Sequence, residues 1–206
     1  MDDLARRLPD IATVRDRCRA MAVLDAVLSP EWESRYHSFD AHWDEGEETA
    51  SARDGSGSDW FMVFSAAGAY ARGFDHTVPN APDILAEVPE AFRFAVEEPA
   101  FRSHDGSPIA TVCLWRQPDD AAWQAAAAPA GGEELFELLA EGTPEAYRAW
   151  AEEYFGTEVD LAAVRHVFAH RPLTQTVVDA LNSEVDLADL REDLAEIGYP
   201  GGHGAT

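Results

Sequence analysis

Residues 58 to 76, "SDWFMVFSAAGAYARGFDH", constrain the fold more than any other stretch of the chain. Side chains alternate on both sides of Ala66-Ala67-Gly68, the pattern of a β-hairpin with glycine at a left-handed turn position. Read as a three-residue turn, it sets Ser65 opposite Ala69, Phe64 opposite Tyr70, Met62 opposite Arg72 and Trp60 opposite Phe74. One face then carries Trp60, Met62, Phe64, Tyr70, Arg72, Phe74 and His76, and the other Phe61, Val63, Ala69, Ala71, Gly73 and Asp75. The second face is small along one strand, so a helix can approach it closely, and it is expected to lie beneath the N-terminal helix. The first face, with Trp60, Phe64, Tyr70, Arg72 and Phe74, has the composition of a binding surface. The competing expectation is that the C-terminal helices cover that face as a second core layer, with Trp60 inside and Arg72 partly exposed near the sheet edge.

The rest of the chain supplies partners for this hairpin. Ile11, Val14, Cys18, Met21 and Leu28 recur at helical spacing, with Asp10 placed to cap the start and Pro30 to stop the end. From Trp32 to His76 the period shortens toward two, and Gly/Ser/Asp clusters divide the stretch into about four strands, most simply a meander. "ILAEVPEAFRFAVEEP" reads as a helix interrupted at Pro89, and "IATVCLWR", Ile109 to Arg116, as a later strand. Residues 119–132, rich in Ala, Gly and Pro, read as a flexible junction between 1–118 and a helical region over 133–200, with 201–206 as a flexible tail. In that region Thr143-Pro144-Glu145 starts a helix and Gly156 stops it after Tyr147, Trp150 and Tyr154 have lined one face. "EVDLA" occurs at 158–162 and at 184–188, where Asp160 and Asp186 are each placed to cap a helix. The expected fold class is therefore α+β: an N-terminal helix, an antiparallel meander of four to six strands, and a helical C-terminal region packed on the sheet.

Composition narrows the function by exclusion. A formal charge of −24 argues against a nucleic-acid surface and against an anionic membrane, and favours a basic protein partner over either, the alternative being that the acidity only keeps the protein soluble or reflects a salt-rich cytoplasm. All fifteen cationic residues are arginine, so no lysine exists for a phosphate-binding Gly-Lys-Ser/Thr loop, a Schiff base or pyridoxal phosphate. No apolar run approaches the ~20 residues of a membrane span, and "MDDLARRLPD" lacks a signal-peptide core, which points to the cytoplasm. The isolated Cys18 and Cys113 read as buried, reduced thiols.

Two short stretches carry what chemistry there is: "FDAHWD" at 39–44 and "RGFDH" at 72–76. On a regular strand Asp40, His42 and Asp44 share one face and are residue types a divalent metal accepts; Asp75 and His76 end the hairpin. Convergence of these five in a pocket would indicate a small hydrolase or metal-dependent enzyme; dispersion along strand edges would leave them as polar rims. No nucleophile elbow, paired-cysteine zinc pattern or dinucleotide glycine fingerprint is present, so neither a cofactor nor a metal is expected.

The stretches "SPEWESRYHSFDAHWDEGEE" and "GSGSDWFMVFSAAGAYARGFDH" resemble a set of acidic cytoplasmic proteins of high-GC actinobacteria, over residues 8 to about 200. No activity is established for that set, so the resemblance implies no catalytic residues. In size, acidity and helix-flanked sheet the chain is also similar to toxin-immunity proteins. The leading expectation is a non-catalytic, protein-binding module, in one form an immunity-type inhibitor of a basic partner.

Overall fold

The computed structural model describes residues 2–200; the tail expected at 201–206 lies outside the described residues. A short helix α1 (Asp2–Arg7) leads into α2 (Ile11–Leu28), which Asp10 caps by accepting the Thr13 N–H at 3.0 Å. Six strands follow: β1 (His37–Asp44), β2 (Glu47–Arg53), β3 (Asp59–Ser65), β4 (Gly68–Phe74), β5 (Val112–Arg116) and β6 (Gln124–Ala125). They form one antiparallel sheet in sequence order, a pure meander. Between β4 and β5 lie 3₁₀ turns at Pro82–Glu87, Glu90–Phe92 and Pro99–Phe101 and a single α-turn-and-a-half, α3 (Arg93–Glu97). The interrupted helix expected there is broken more thoroughly, because Pro82, Pro89 and Pro99 each restart the chain and remove an N–H. The C-terminal helices are α4 (Glu137–Glu141), α5 (Pro144–Phe155), α6 (Leu161–Phe168), α7 (Gln175–Leu181) and α8 (Arg191–Ile197).

The fold is α+β, with the N-terminal helix against one sheet face and the C-terminal helices packed on the sheet around it. The helical spacing of Ile11, Val14, Cys18, Met21 and Leu28 describes the buried side of α2 only in its first half. From Ala20 to Val27 every residue is buried, because the helix is enclosed by the sheet on one side and by α6, α7 and α8 on the other. The Ala-rich stretch contributes more than a junction: Gln124–Ala125 pair with β5, and buried Trp123 donates its indole N–H to Pro9 O at 2.6 Å. Of the two "EVDLA" segments, Asp160 caps α6 through the Ala163 N–H, whereas Asp186 holds only a turn and α8 begins five residues later.

The hairpin register differs from expectation by one residue. Ser65 pairs with Gly68, so the loop is the two-residue Ala66-Ala67, and Phe64 faces Ala69, Val63 Tyr70, Phe61 Arg72 and Trp60 Gly73. Gly68 has φ 119°, and a Cβ there would lie 2.1 Å from Arg116 O on the neighbouring strand, so glycine serves close approach at the first strand position rather than closing the turn. The slip reassigns the faces. Trp60, Met62 and Phe64 share the helix-covered face with Ala69 and Ala71, while Val63 and Tyr70 face a second core closed by Ile84, Leu85, Phe92 and Phe101.

At the centre of the larger core sits Asp25 on α2, with no exposed surface. Its Oδ2 accepts the backbone N–H groups of His37 at 2.7 Å and Tyr36 at 3.1 Å and lies 3.2 Å from His37 Nδ1; its Oδ1 accepts the Tyr147 hydroxyl at 2.6 Å. One carboxylate thus ties α2 to the start of β1 and to α5. Burial and the neighbouring Asp25 charge hold the Tyr147 phenol well above its ordinary value, so it remains a donor. Tyr147→Phe is expected to cost about 1.5–3 kcal/mol, the range for a bond to a charged group, and Asp25→Ala about 3–5 kcal/mol because it strands several buried donors at once. Urea unfolding checks the order: an Asp25→Ala midpoint no lower than that of Tyr147→Phe would contradict it.

Candidate functional site

The five acidic and imidazole candidates do not converge. Asp40 and Asp44 lie on β1 at the β1–β2 turn end of the sheet, where Asp44 pairs with Glu47. Asp75 and His76 follow β4 at the opposite end, beyond the Phe74–Asp59 pair. β3 spans that separation with six residue steps, roughly 20 Å. Each group has a local task instead. Asp40 accepts the His42 N–H at 2.7 Å, Asp44 the Glu45 N–H at 2.7 Å, and Asp75 the Thr77 N–H and hydroxyl at 2.8 and 2.7 Å, which hold its carboxyl below the usual range. His76 Nδ1 lies 2.8 Å from Ser58 Oγ. The β1–β2 pairing shifts register between Asp40, opposite Thr49, and Asp44, opposite Glu47, so β1 is irregular over the span that holds Asp40, His42 and Asp44. Among the described residues no group of three or more His, Cys, Asp or Glu side chains could hold a metal ion.

The hairpin residues are interior. Trp60, Phe64, Tyr70 and Arg72 are all buried and Phe74 is half-buried, so the surface expected from them is a core layer and its boundary. Trp60 packs on Phe136, with ring centroids 5.5 Å apart. Arg72, only 2% exposed, departs from the partial exposure expected of it because it sits on an interior strand of the sheet. Its guanidinium donates to Asp59 and, at 2.9 Å, to Phe101 O, and it lies over the Phe61 ring. Burial pushes the Asp59 carboxyl up, and Arg72 opposes that shift. The two thiols are equally internal: burial drives Cys18 upward and Cys113 up to about 12, so neither is a ready nucleophile.

A groove of about 730 Å³ lies between the β1–β2 turn and the start of α2. Ile11, Ala41 and Phe64 give it an apolar floor, and Arg15 and Glu48 stand in its wall. Glu48 is shared by two arginines, Arg19 by hydrogen bond and Arg15 at 3.6 Å. Around its mouth Asp44, Glu45 and Glu47 crowd into the turn, and none of them has an ion-pair partner among the described residues. The consequence appears at Glu47, whose carboxyl is raised by partial burial and by the like charges of Asp44 and Glu98. Beside them Trp43 is 37% exposed, with its ring stacked on Phe101 at 6.0 Å and Phe101 stacked in turn on Phe61 at 4.5 Å. A partly exposed aromatic, stacked on Phe101, thus lines the same groove as carboxylates that lack cations. His42 and Asp44 of the sequence candidates belong to this groove, while Trp43, Glu45 and Glu47 were readable only as the run "HWDEGEE", which has no motif character.

Trp60→Ala and Arg72→Ala are each expected to destabilise by about 3–5 kcal/mol, the first through a cavity and the second by stranding Asp59 and a buried carbonyl. A near-native urea midpoint for either would remove it from the core. Glu47→Gln should act oppositely. Folding raises this carboxyl, so its unfavourable contribution is absent below the ordinary value of 4.5 and complete above the folded value. The variant should melt slightly higher than the parent at pH 7 and equally at pH 3.5 or so; a lower melting point at pH 7 would contradict the crowding.

No protein-family model matches the chain, and no curated protein or solved structure matches it.

Proposed function

We propose that the chain is a non-catalytic, acidic protein-binding module that takes a basic partner at the β1–β2 turn and its groove. The observation that carries this reading is the set of carboxylates at Asp44, Glu45 and Glu47, left without cations beside the rigid, exposed Trp43. A chain with 39 acidic and 15 cationic side chains has too few arginines to neutralise every carboxylate; some carboxylates elsewhere are paired across elements, as in Arg7–Glu137, Arg35–Asp193 and Arg165–Glu145. A partner arginine or lysine entering the groove would relieve the repulsion at Glu47, while the net field speeds encounter. Rim ion pairs each contribute about 0.2–1 kcal/mol, so they supply steering and specificity; grip comes from Trp43, an anchor type whose truncation costs about 2 kcal/mol or more at interfaces.

An immunity-type inhibitor of a basic toxin is the specific form of this proposal, and the cytoplasm its expected setting. No helix among the described residues is long and apolar enough to cross a membrane. Neither a cofactor nor a nucleic acid enters the reading.

The test is affinity capture from the native extract, followed by calorimetric titration of the captured protein. A basic protein should be retained, its affinity falling as salt rises, and Asp44→Arg with Glu47→Arg should weaken it about tenfold or more. Trp43→Ala should weaken it by a similar factor at every salt concentration, since its contact is apolar. Retention indifferent to salt and to all three substitutions would sink the proposal.

A further inference from the structure

A second cleft, of about 460 Å³, opens on the far side of α2, between its first turns, the α4–α5 turn and the end of α6. Its chemistry is unlike that of the acidic groove. Asp16, Arg17, Pro144, Arg165, Phe168 and His170 are among its lining residues. Arg165 is already neutralised, donating from Nε and Nη2 to Glu145 Oε1 at 2.9 and 2.5 Å. Arg17 is not. Its Nη1 donates to Leu139 O at 2.8 Å and Ala140 O at 3.1 Å, capping α4, and it forms no ion pair among the described residues. Partial burial lowers the Arg17 pKa, and the attraction of Asp10 does not make up the difference. Gly142 accommodates this placement: it has φ 55°, and a Cβ there would lie 2.1 Å from the Arg17 guanidinium carbon. Asp16 likewise has neither hydrogen bond nor ion pair among the described residues.

Two adjacent, opposite charges therefore front one cleft: Asp16 has no partner among the described residues, and Arg17, its Nη1 held by two carbonyls, has no hydrogen bond or ion pair at Nε and Nη2 there. Phe168 and Pro144 supply apolar wall, and α5, twelve residues long, starts at the cleft with its positive dipole end. His170 completes the lining in a left-handed backbone conformation at φ 50°, uncommon for a residue with a Cβ. A phosphate or other dianion fits poorly, because the unpaired carboxylate of Asp16 lines the cleft beside Arg17 and the whole chain is strongly negative. A zwitterion meets both charges at once.

We propose that this cleft binds a free α-amino acid with an apolar side chain, its carboxylate on Arg17, its ammonium on Asp16, and its side chain against Phe168 and Pro144. The volume lies within the range of about 300–1,000 Å³ usual for small-molecule sites. This site is separate from the groove at the β1–β2 turn and does not depend on the partner proposed there.

The test is calorimetric titration of the intact chain with L-leucine, with 4-methylpentanoate, which lacks the ammonium, and with isoamylamine, which lacks the carboxylate. L-leucine should bind saturably with a Kd at or below about 1 mM, a modest demand for a ligand of that size, and each analogue should bind about tenfold or more weakly. Arg17→Met should abolish binding, but it also uncaps α4 and can unfold the protein. Asp16→Asn carries the decision, since it disturbs no contact: it should keep the parent melting temperature, weaken L-leucine about tenfold, and leave 4-methylpentanoate unchanged. Absence of saturable L-leucine heat up to about 20 mM would overturn the proposal. So would 4-methylpentanoate binding as tightly as L-leucine, or an Asp16→Asn variant that binds L-leucine like the parent.

Discussion

The carboxylate of Asp25 is the constraint on which the rest of the arrangement depends. A fully buried charge is tolerable only when donors surround it, and here the donors come from the entry to β1 and from α5, segments far apart in the chain. The bonds to Tyr36 and His37 place the first strand against α2. The bond to Tyr147 brings in the C-terminal helices, and Tyr36, Trp150 and Tyr154 pack edge-on and stacked around the same point, with centroids 5.0 to 5.2 Å apart. Apolar contacts alone would let α2 slide along the sheet. A carboxylate that must find three donors fixes its depth and rotation.

Arginine does similar work nearer the surface, and the absence of lysine suits it to the task. Arg35 donates to Ser29 O, Pro30 O and Asp193, joining the end of α2, the start of β1 and α8 through one planar group. Arg116 and Trp123 both donate to Pro9 O, which fastens the β5–β6 end to the segment before α2. Because so few cations are committed to these joints, the acidic excess falls on solvent-facing turns. The uncompensated carboxylates at the β1–β2 turn follow from that scarcity, and the exposed Trp43 makes the turn a surface with both charge and apolar area. Arg17 and Asp16, neither in an ion pair among the described residues, front the second cleft.

The hairpin illustrates how a correct element can yield an incorrect surface. Ala66-Ala67-Gly68 reads equally as a two- or three-residue connection, since glycine beyond Ala67 serves a turn or a close strand approach. The choice shifts pairing by one residue and exchanges every side chain of β4 between faces. Trp60 and Tyr70 thereby pass from one presumed aromatic patch to two different cores. Asp40, His42 and Asp44 gain nothing from Asp75 and His76, which stand at the other end of the sheet, and the register shift in β1 between Asp40 and Asp44 is invisible to a period-two reading.

What the sequence by itself determined was the element order: a capped α2, a meander around one dominant hairpin, a thiol-buried core, and a C-terminal helix running from Thr143 to Gly156. Those depend on local spacing, capping and turn chemistry, which a few neighbouring residues specify. It also determined the acidity and the lack of lysine, and with them the classes of chemistry excluded. Only the tertiary structure decided which faces are covered, that Arg72 meets Asp59, and that Asp75 and His76 stand a strand's length from His42. It alone brought Trp43 onto Phe101, and Arg17 and Asp16 to a cleft with Phe168. Those contacts join residues from about 60 to more than 150 positions apart, and local pattern carries no information about which distant side chains will share a pocket.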